Sequence, residues 1–226
     1  MKISTQRLRI FIFSVPLCTL IGIPGCRQPK QSIGQISGAD SLRIVEEIRQ
    51  HRAEVDSAFR YEPESPFNKD TSAHFDGIKW FPPDVRYYFR SNLFRHEHPE
   101  TVSVFGTKGE ERRQVKYGYF TFDLDGKEYR LNAYKSVGEE SQRSPMVRDY
   151  LSVWFTDETT GKETYNVGRY LDVGDEDPDP NHLYTINLNN AYNPYCAYSE
   201  IYSCAVPRRE DHLNLAVRAG EMKYRH

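Results

Sequence analysis

The spacing of hydrophobic and polar residues changes character twice along the chain. Residues 10–23 form an apolar run from Ile10 to Ile23, interrupted only by Ser14, Pro16, Thr19 and Gly22. Residues 41–59 turn to helical spacing. Leu42, Val45, Ile48, Val55 and Phe59 fall on one face, with Arg52 inside the stripe. Asp40 or Ser41 is the expected cap, and Glu46 and Glu47 sit early, where the helix dipole favours acids. Pro63 and Pro66 end the helix, and residues 61–84, with Pro82-Pro83, read as an irregular crossing. From Val85 the period becomes two. Strands are expected at 85–94, 101–106, 112–124, 127–135, 150–156, 164–173, 182–189 and 213–218. The clearest unit spans Tyr117 to Lys135. Asp125-Gly126 suits a type I′ turn, in which both central residues need positive φ. That turn pairs Phe122 with Tyr129, Phe120 with Leu131 and Gly118 with Ala133, so register and apolar face agree. Thr159-Thr160-Gly161 marks a second turn. The fold class is mainly β: an antiparallel sandwich or barrel-like domain with an N-terminal helix.

The first apolar run has a different role. Lys2, Arg7 and Arg9 precede it with no acid, and it ends in Ile23-Pro24-Gly25-Cys26. A basic start, an apolar centre and a small residue before the cut describe a secretory signal. The run is too short and interrupted for a spanning helix, which needs ~20 mostly apolar residues. Gly25-Cys26 resembles the lipobox of lipoprotein signals, with Pro24 an unusual residue in it. The resemblance implies cleavage after residue 25 and lipid on Cys26. An ordinary signal peptide and an uncleaved anchor are the alternatives. Acyl chains would hold the protein to a membrane at ~0.8 kcal/mol per buried methylene. Residues 26–40 then read as a flexible tether and 41–226 as one domain, in the cell envelope and outside the cytoplasm.

Removing the signal changes the charge and cysteine counts. The chain has 30 basic and 32 acidic residues; without Lys2, Arg7 and Arg9 the balance is 27 against 32, a net charge of −5. No basic block stands out, so nucleic acid is not an expected partner. Of four cysteines, Cys18 leaves with the signal and Cys26 carries lipid. Cys196 and Cys204 remain, and a disulfide between them is expected in an oxidising compartment. Closing so short a loop would stabilise by about 2.5 kcal/mol in the chain-entropy model. A zinc pair fits the spacing poorly, and a nucleophilic Cys196 would need a base the sequence does not place.

Several segments invite chemistry. Asp175 to Asn181 alternates acids in the manner of a calcium loop but lacks its glycine and terminal glutamate, so a solvated acidic turn is favoured. His96-Glu97-His98 beside Pro99 reads as an exposed loop rather than a metal pair. Tyr192, Tyr195, Tyr198 and Tyr202 recur at three- and four-residue steps, a stripe that more often packs on a core than binds a ligand. No metal or cofactor is implied, and no nucleophile elbow, zinc-protease, P-loop or dinucleotide motif occurs.

Three further segments stand out: F-T-D-E-T-T-G-K-E-T-Y-N-V-G-R-Y-L from Phe155, N-N-A-Y-N-P-Y-C-A-Y from Asn189, and R-A-G-E from Arg218. With Cys204 and Pro207, these resemble the bacterial family catalogued as domain of unknown function 1684, over about Arg52 to the C-terminus. Tyr195 departs from the pattern, where many members have a second proline. The resemblance brings no activity. It implies a shared site at Arg169, Tyr170, Asn190, Tyr192, Asn193 and Glu221. An arginine fork suits carboxylate or phosphate, asparagines both donate and accept, and Tyr165, Tyr170 and Tyr192 add flat surface. The leading expectation is binding of a polar small-molecule or glycan-like ligand. An envelope hydrolase using Glu221 or Asp157 as acid/base is the rival, and a structural or assembly lipoprotein is the third reading. In that last case Arg169 pairs with a buried acid such as Glu221 and the asparagines hold turns.

Overall fold

A computed structural model describes residues 38–137 and 150–224. The signal, Cys18, Cys26 and tether residues 26–37 lie outside the described residues. Among those described, no helix is long and apolar enough to cross a membrane.

Helix α1 spans Gly38–Tyr61. It therefore begins inside the expected tether, and Asp40 falls in its first turn rather than capping it. Its buried stripe is Ile44, Ile48 and Phe59. Leu42, expected inward, is 75% exposed while Ile48 is 0% exposed. The chain stops helical growth before Pro63. A four-residue helix α2, Pro66–Lys69, follows, with Ser65 Oγ accepting the Phe67 N–H at 3.2 Å. Pro66 stands where its missing N–H costs nothing.

The β elements are β1 (Tyr88–Ser91), β2 (Phe94–Phe105), β3 (Glu111–Leu124), β4 (Lys127–Ser136), β5 (Tyr150–Asp157), β6 (Arg169–Asp175), β7 (Tyr184–Asn187) and β8 (His212–Leu213). Strands β2-β3-β4-β5-β6 form one antiparallel sheet in that order, and β8 adds a short parallel pairing to β5. A second, two-stranded sheet pairs β1 with β7. The architecture is mainly β with antiparallel sheets and no closed barrel. The β3–β4 register pairs Phe122 with Tyr129, Phe120 with Leu131 and Gly118 with Ala133. Asp125 and Gly126 take φ of 53° and 77°, the turn chemistry read from the sequence.

Four strand expectations change. Residues 85–87 form a 3-10 turn, because Asp84 accepts the Arg86 N–H at 2.9 Å. Strand β2 reaches back to Phe94 through an irregularity between Arg95 and Glu100, so His96-Glu97-His98 lies in a strand, not a loop. Residues 164–168 turn instead of extending, since the amides of Lys162, Glu163 and Thr164 all donate to Thr159 O. Residues 214–218 leave the ladder, and the Val217 peptide group among them serves a buried ion pair, described below. The tyrosine stripe is no helix either. Only Tyr195–Ala197 makes a 3-10 turn.

The main core lies between the large sheet and the β1–β7 ribbon, with Phe89, Phe120, Leu131, Phe155, Ile186 and Leu188 at its centre. Phe59, Phe67, Tyr198 and Tyr224 form a second cluster that docks α1 onto the C-terminal segment. On the far face of the sheet, Tyr134 stacks on Trp154 with centroids 4.7 Å apart. The α1 stripe gives a direct test. In urea titration, Ile48→Ala is expected to cost about 2–5 kcal/mol, whereas Leu42→Ala stays within ~0.5 kcal/mol of the parent.

Candidate functional site

Strand β6 begins at Arg169, whose guanidinium enters the core. Arg169 is 1% exposed. Nη2 donates to Asp157 Oδ2 at 2.8 Å and to Val217 O at 2.8 Å; Nη1 donates to Ala219 O and to Glu221 O. Nε makes no hydrogen bond. The partner acid is therefore Asp157, at the end of β5, rather than Glu221. Asp157 is held in turn by the Thr159 N–H at 2.7 Å, the Thr159 hydroxyl at 2.5 Å and the Val217 N–H at 3.4 Å. Both side chains of the ion pair are 1% exposed. Burial lowers the Arg169 pKa, and the Asp157 charge works against that.

Glu221 is also 0% exposed. Oε2 accepts the Asn193 N–H at 2.9 Å and the Tyr198 hydroxyl, while Oε1 has no partner. Burial pushes its pKa up to about 7 against the pull of these donors and of Arg169 and Arg52. Arg52, half-buried on α1, donates to Phe81 O at 2.8 Å and lies over the Trp80 ring. Asn193 is 1% exposed; its Nδ2 donates to Met222 O at 2.9 Å and its Oδ1 is unpartnered. Arg169, Asn193 and Glu221 thus form one internal cluster, and none lines an open surface. Asn189, next to the expected Asn190, cross-links to Asp84 through both its amide atoms at 2.8 Å.

The remaining expected residues are half-buried: Tyr170 packs against Trp154 and Ala205 on the far face of the sheet, and Asn190 Oδ1 is buried with no partner among the described residues. The Tyr170 hydroxyl donates to Ala205 O at 2.7 Å, and its backbone bridges to Tyr192. Tyr192 OH donates to Asp172 Oδ1 at 2.9 Å, and Tyr150 OH donates to the same oxygen. Asp172, Asn190, Glu47, Tyr88, Arg90 and His182 are among the residues lining an open groove of about 580 Å³ between α1, β6 and the β1–β7 ribbon. Asp172 was not foreseen. Its signal is the alternation in R-Y-L-D, which turns Tyr170 and Asp172 away from the core that holds Arg169 and Leu171.

No disulfide joins Cys196 to Cys204 in the structure, although the two residues do meet. The Cys196 N–H donates to Cys204 Sγ at 3.2 Å, and Tyr165 OH lies 3.7 Å from Cys196 Sγ. The closeness of the two thiols holds the Cys196 pKa down to about 7 and pushes that of Cys204 up. In the acidic turn, Glu176 is not simply solvated. It bridges Arg95 at 2.5 Å, Tyr117 OH at 2.9 Å and Lys135. No cluster of His, Cys, Asp and Glu among the described residues is arranged to hold a metal ion.

Fold and geometry define an antiparallel β domain pinned by a buried Arg–Asp pair, with an open groove on its flank. The chain belongs to the family described as protein of unknown function DUF1684, which matches residues 73–222. It is also similar to an uncharacterized protein of Haloarcula marismortui solved by solution NMR. That structure shares 32% identity and a TM-score of 0.58 over 82% of this chain and 97% of that one. No curated protein matches the chain.

The internal cluster makes two predictions. Asp157→Ala leaves Arg169 buried without its counter-charge and is expected to cost about 3–5 kcal/mol in chemical denaturation. Glu221 supplies a pH signature. From about 4.5, its ordinary value, to about 7, its folded value, the folded chain holds a proton that the unfolded chain has lost. Stability from this group is therefore full below that window and falls as pH rises through it. Thermal melts across pH 4.5–8 should show this decline in the parent and a flatter profile in Glu221→Gln.

Proposed function

We propose that this domain is a cell-envelope binding module, tethered by lipid on Cys26, that takes a hydroxyl-rich, glycan-like ligand in the groove at Asp172. The observation that carries the reading is an exposed carboxylate held rigid in an open groove. Two tyrosine hydroxyls fix Asp172 Oδ1, and Oδ2 makes no hydrogen bond to the described residues. The basic groups that line the groove, Arg90 and His182, are already engaged, and His51 on α1 adds a partly buried imidazole within the field of Asp172. Arg90 donates to Leu183 O at 2.9 Å, and His182 lies 3.3 Å from Asp177. What the groove offers a ligand is the Asp172 carboxylate and the half-buried ring of Tyr88, while Tyr184, also in the lining, is packed into the core. Acceptors and flat rings suit vicinal hydroxyls and sugar faces better than a phosphate or carboxylate. The anionic ligand that an open Arg169 would have favoured loses its reason, since that guanidinium is spent on the core.

The hydrolase alternative is weaker for the same cause. Its two carboxyls, Asp157 and Glu221, are buried, and a general acid or base must come within hydrogen-bond reach of substrate. The envelope address rests on residues 1–26 of the sequence. Mass spectrometry of the protein from a bacterial membrane fraction should find acyl chains on Cys26, and Cys26→Ser should release the chain to the soluble fraction.

Calorimetric titration with neutral envelope oligosaccharides tests the groove. Binding should weaken at least about tenfold in Asp172→Ala, in line with the ~1.5–3 kcal/mol of hydrogen bonds to a charged group. Arg169→Lys should affect folding rather than selectivity. Affinity unchanged in Asp172→Ala, or preference for anionic over neutral sugars, would sink the proposal.

A further inference from the structure

Away from the groove, the segment from Pro194 to Val206 brings two thiols together on a fixed frame. Cys204 is held against the end of β2, where Thr107 N–H donates to Cys204 O at 2.9 Å and Val206 N–H to Phe105 O at 2.8 Å. Cys196 is held by a 3-10 turn in which Ala197 N–H donates to Pro194 O at 2.8 Å. The chain between them is tied down by Tyr198, buried against Phe59 and Glu221, and by Ser199, which donates to Asp70. Both sulfurs are half-buried rather than sealed.

We propose that Cys196 and Cys204 form a reversible dithiol site that exchanges with small disulfides, with Cys196 as the attacking thiol and Cys204 as the resolving one. The roles follow from what surrounds each sulfur. Cys196 sulfur accepts the Tyr165 hydroxyl at 3.7 Å, and the neighbouring Cys204 helps hold its thiol below the range of a free one. Donors to sulfur favour the thiolate, which is the nucleophile. Cys204, beside Cys196, holds its proton more tightly than a free thiol, so it is the poorer initial nucleophile and stands where the second step needs it. Tyr165 and Tyr170, which are neutral, Thr107, and Arg112 on the Cys204 side are the other groups around the pair.

Reversibility follows from the reduced state. As thiols, both sulfurs have partners within the fold, the Cys196 N–H donating to Cys204 Sγ at 3.2 Å. A reduced form stabilised in this way makes the corresponding disulfide easier to reduce. In the forward direction, Cys196 thiolate attacks one sulfur of the small disulfide, forming a mixed disulfide and expelling one thiolate, which takes up a proton. Cys204 then gives up its proton and attacks Cys196 sulfur. The intramolecular bond forms and the second small thiol leaves. The protein loses two electrons and the small disulfide gains them.

The test uses the full-length natural chain with glutathione as the probe and peptide mass spectrometry to follow each cysteine separately. In the reduced protein, Cys196 should alkylate about tenfold faster than Cys204 at neutral pH, with a midpoint below the ~8.5 of a free thiol. Tyr165→Phe should move that midpoint up. Glutathione disulfide should yield the 196–204 bond in the parent, trap glutathione on Cys196 in Cys204→Ser, and leave Cys196→Ser largely unmodified. Excess reduced glutathione should reopen the bond without denaturant. A bond that reopens only after unfolding would make the pair a static bridge and overturn the proposal. Faster alkylation of Cys204, or no reaction of either thiol in the folded chain, would overturn it equally.

Discussion

A positive charge with nowhere to go but into the core organises the C-terminal half of this domain. Arg169 opens strand β6 facing inward and is 1% exposed. A guanidinium in that position is tolerable only if its donors are met and its charge is balanced. The balance comes from Asp157, at the end of the neighbouring strand. The donors are met by carbonyls of Val217, Ala219 and Glu221. Those carbonyls can reach Arg169 only because residues 214–221 abandon the sheet after β8 and wrap across it. An apolar residue at 169 would need none of this, so the irregular C-terminal course is a consequence of the charge.

That constraint also separates structure from candidate function along a single strand. Alternation sends Arg169 and Leu171 inward and Tyr170 and Asp172 outward. The inward pair belongs to the core; the outward carboxylate is gripped by Tyr150 and Tyr192 and faces the groove. Because the core end of β6 is locked by the ion pair, Asp172 sits three residues from a rigid anchor. A carboxylate so placed loses little freedom when it meets a ligand, which is what pre-organised recognition requires.

The helix, the β3–β4 hairpin with its register, and the mainly β class were legible in the sequence because each rests on local rules. Asp125-Gly126 sets its own turn, and the facing aromatics follow from period two. The turn at Thr159-Gly161 was legible as well, but the loss of strand over 164–168 and the end of the ladder at Leu213 were not, because they depend on hydrogen bonds around Thr159 and on the pairing of Asp157 with Arg169, twelve residues away in sequence. The inward side of α1 was right at Ile48 and Phe59 but began at Leu42 instead of Ile44, for a similar reason. Leu42 and Ile44 are equally apolar, and only the docking of Phe59 and Arg52 decides between them. Asp172 escaped notice because an exposed aspartate on a strand carries no spacing signal.

The R-A-G-E segment shows how a long, specific motif can arise without touching a ligand. Ala219 gives its carbonyl to Arg169. Gly220 has φ of 78°, and a Cβ there would stand 2.4 Å from Ala191 O. Glu221 then closes the contact by accepting the Asn193 N–H. Gly220 and Glu221 are fixed in kind by their contacts with Ala191 and Asn193, so this part of the motif and the N-N-A-Y-N-P run must fit one another. A sequence pattern of this rigidity marks the place where two distant segments must fit. Recognition chemistry, by contrast, is free to sit on the groove wall beside it, where the positions are open to solvent and the local sequence is less constrained.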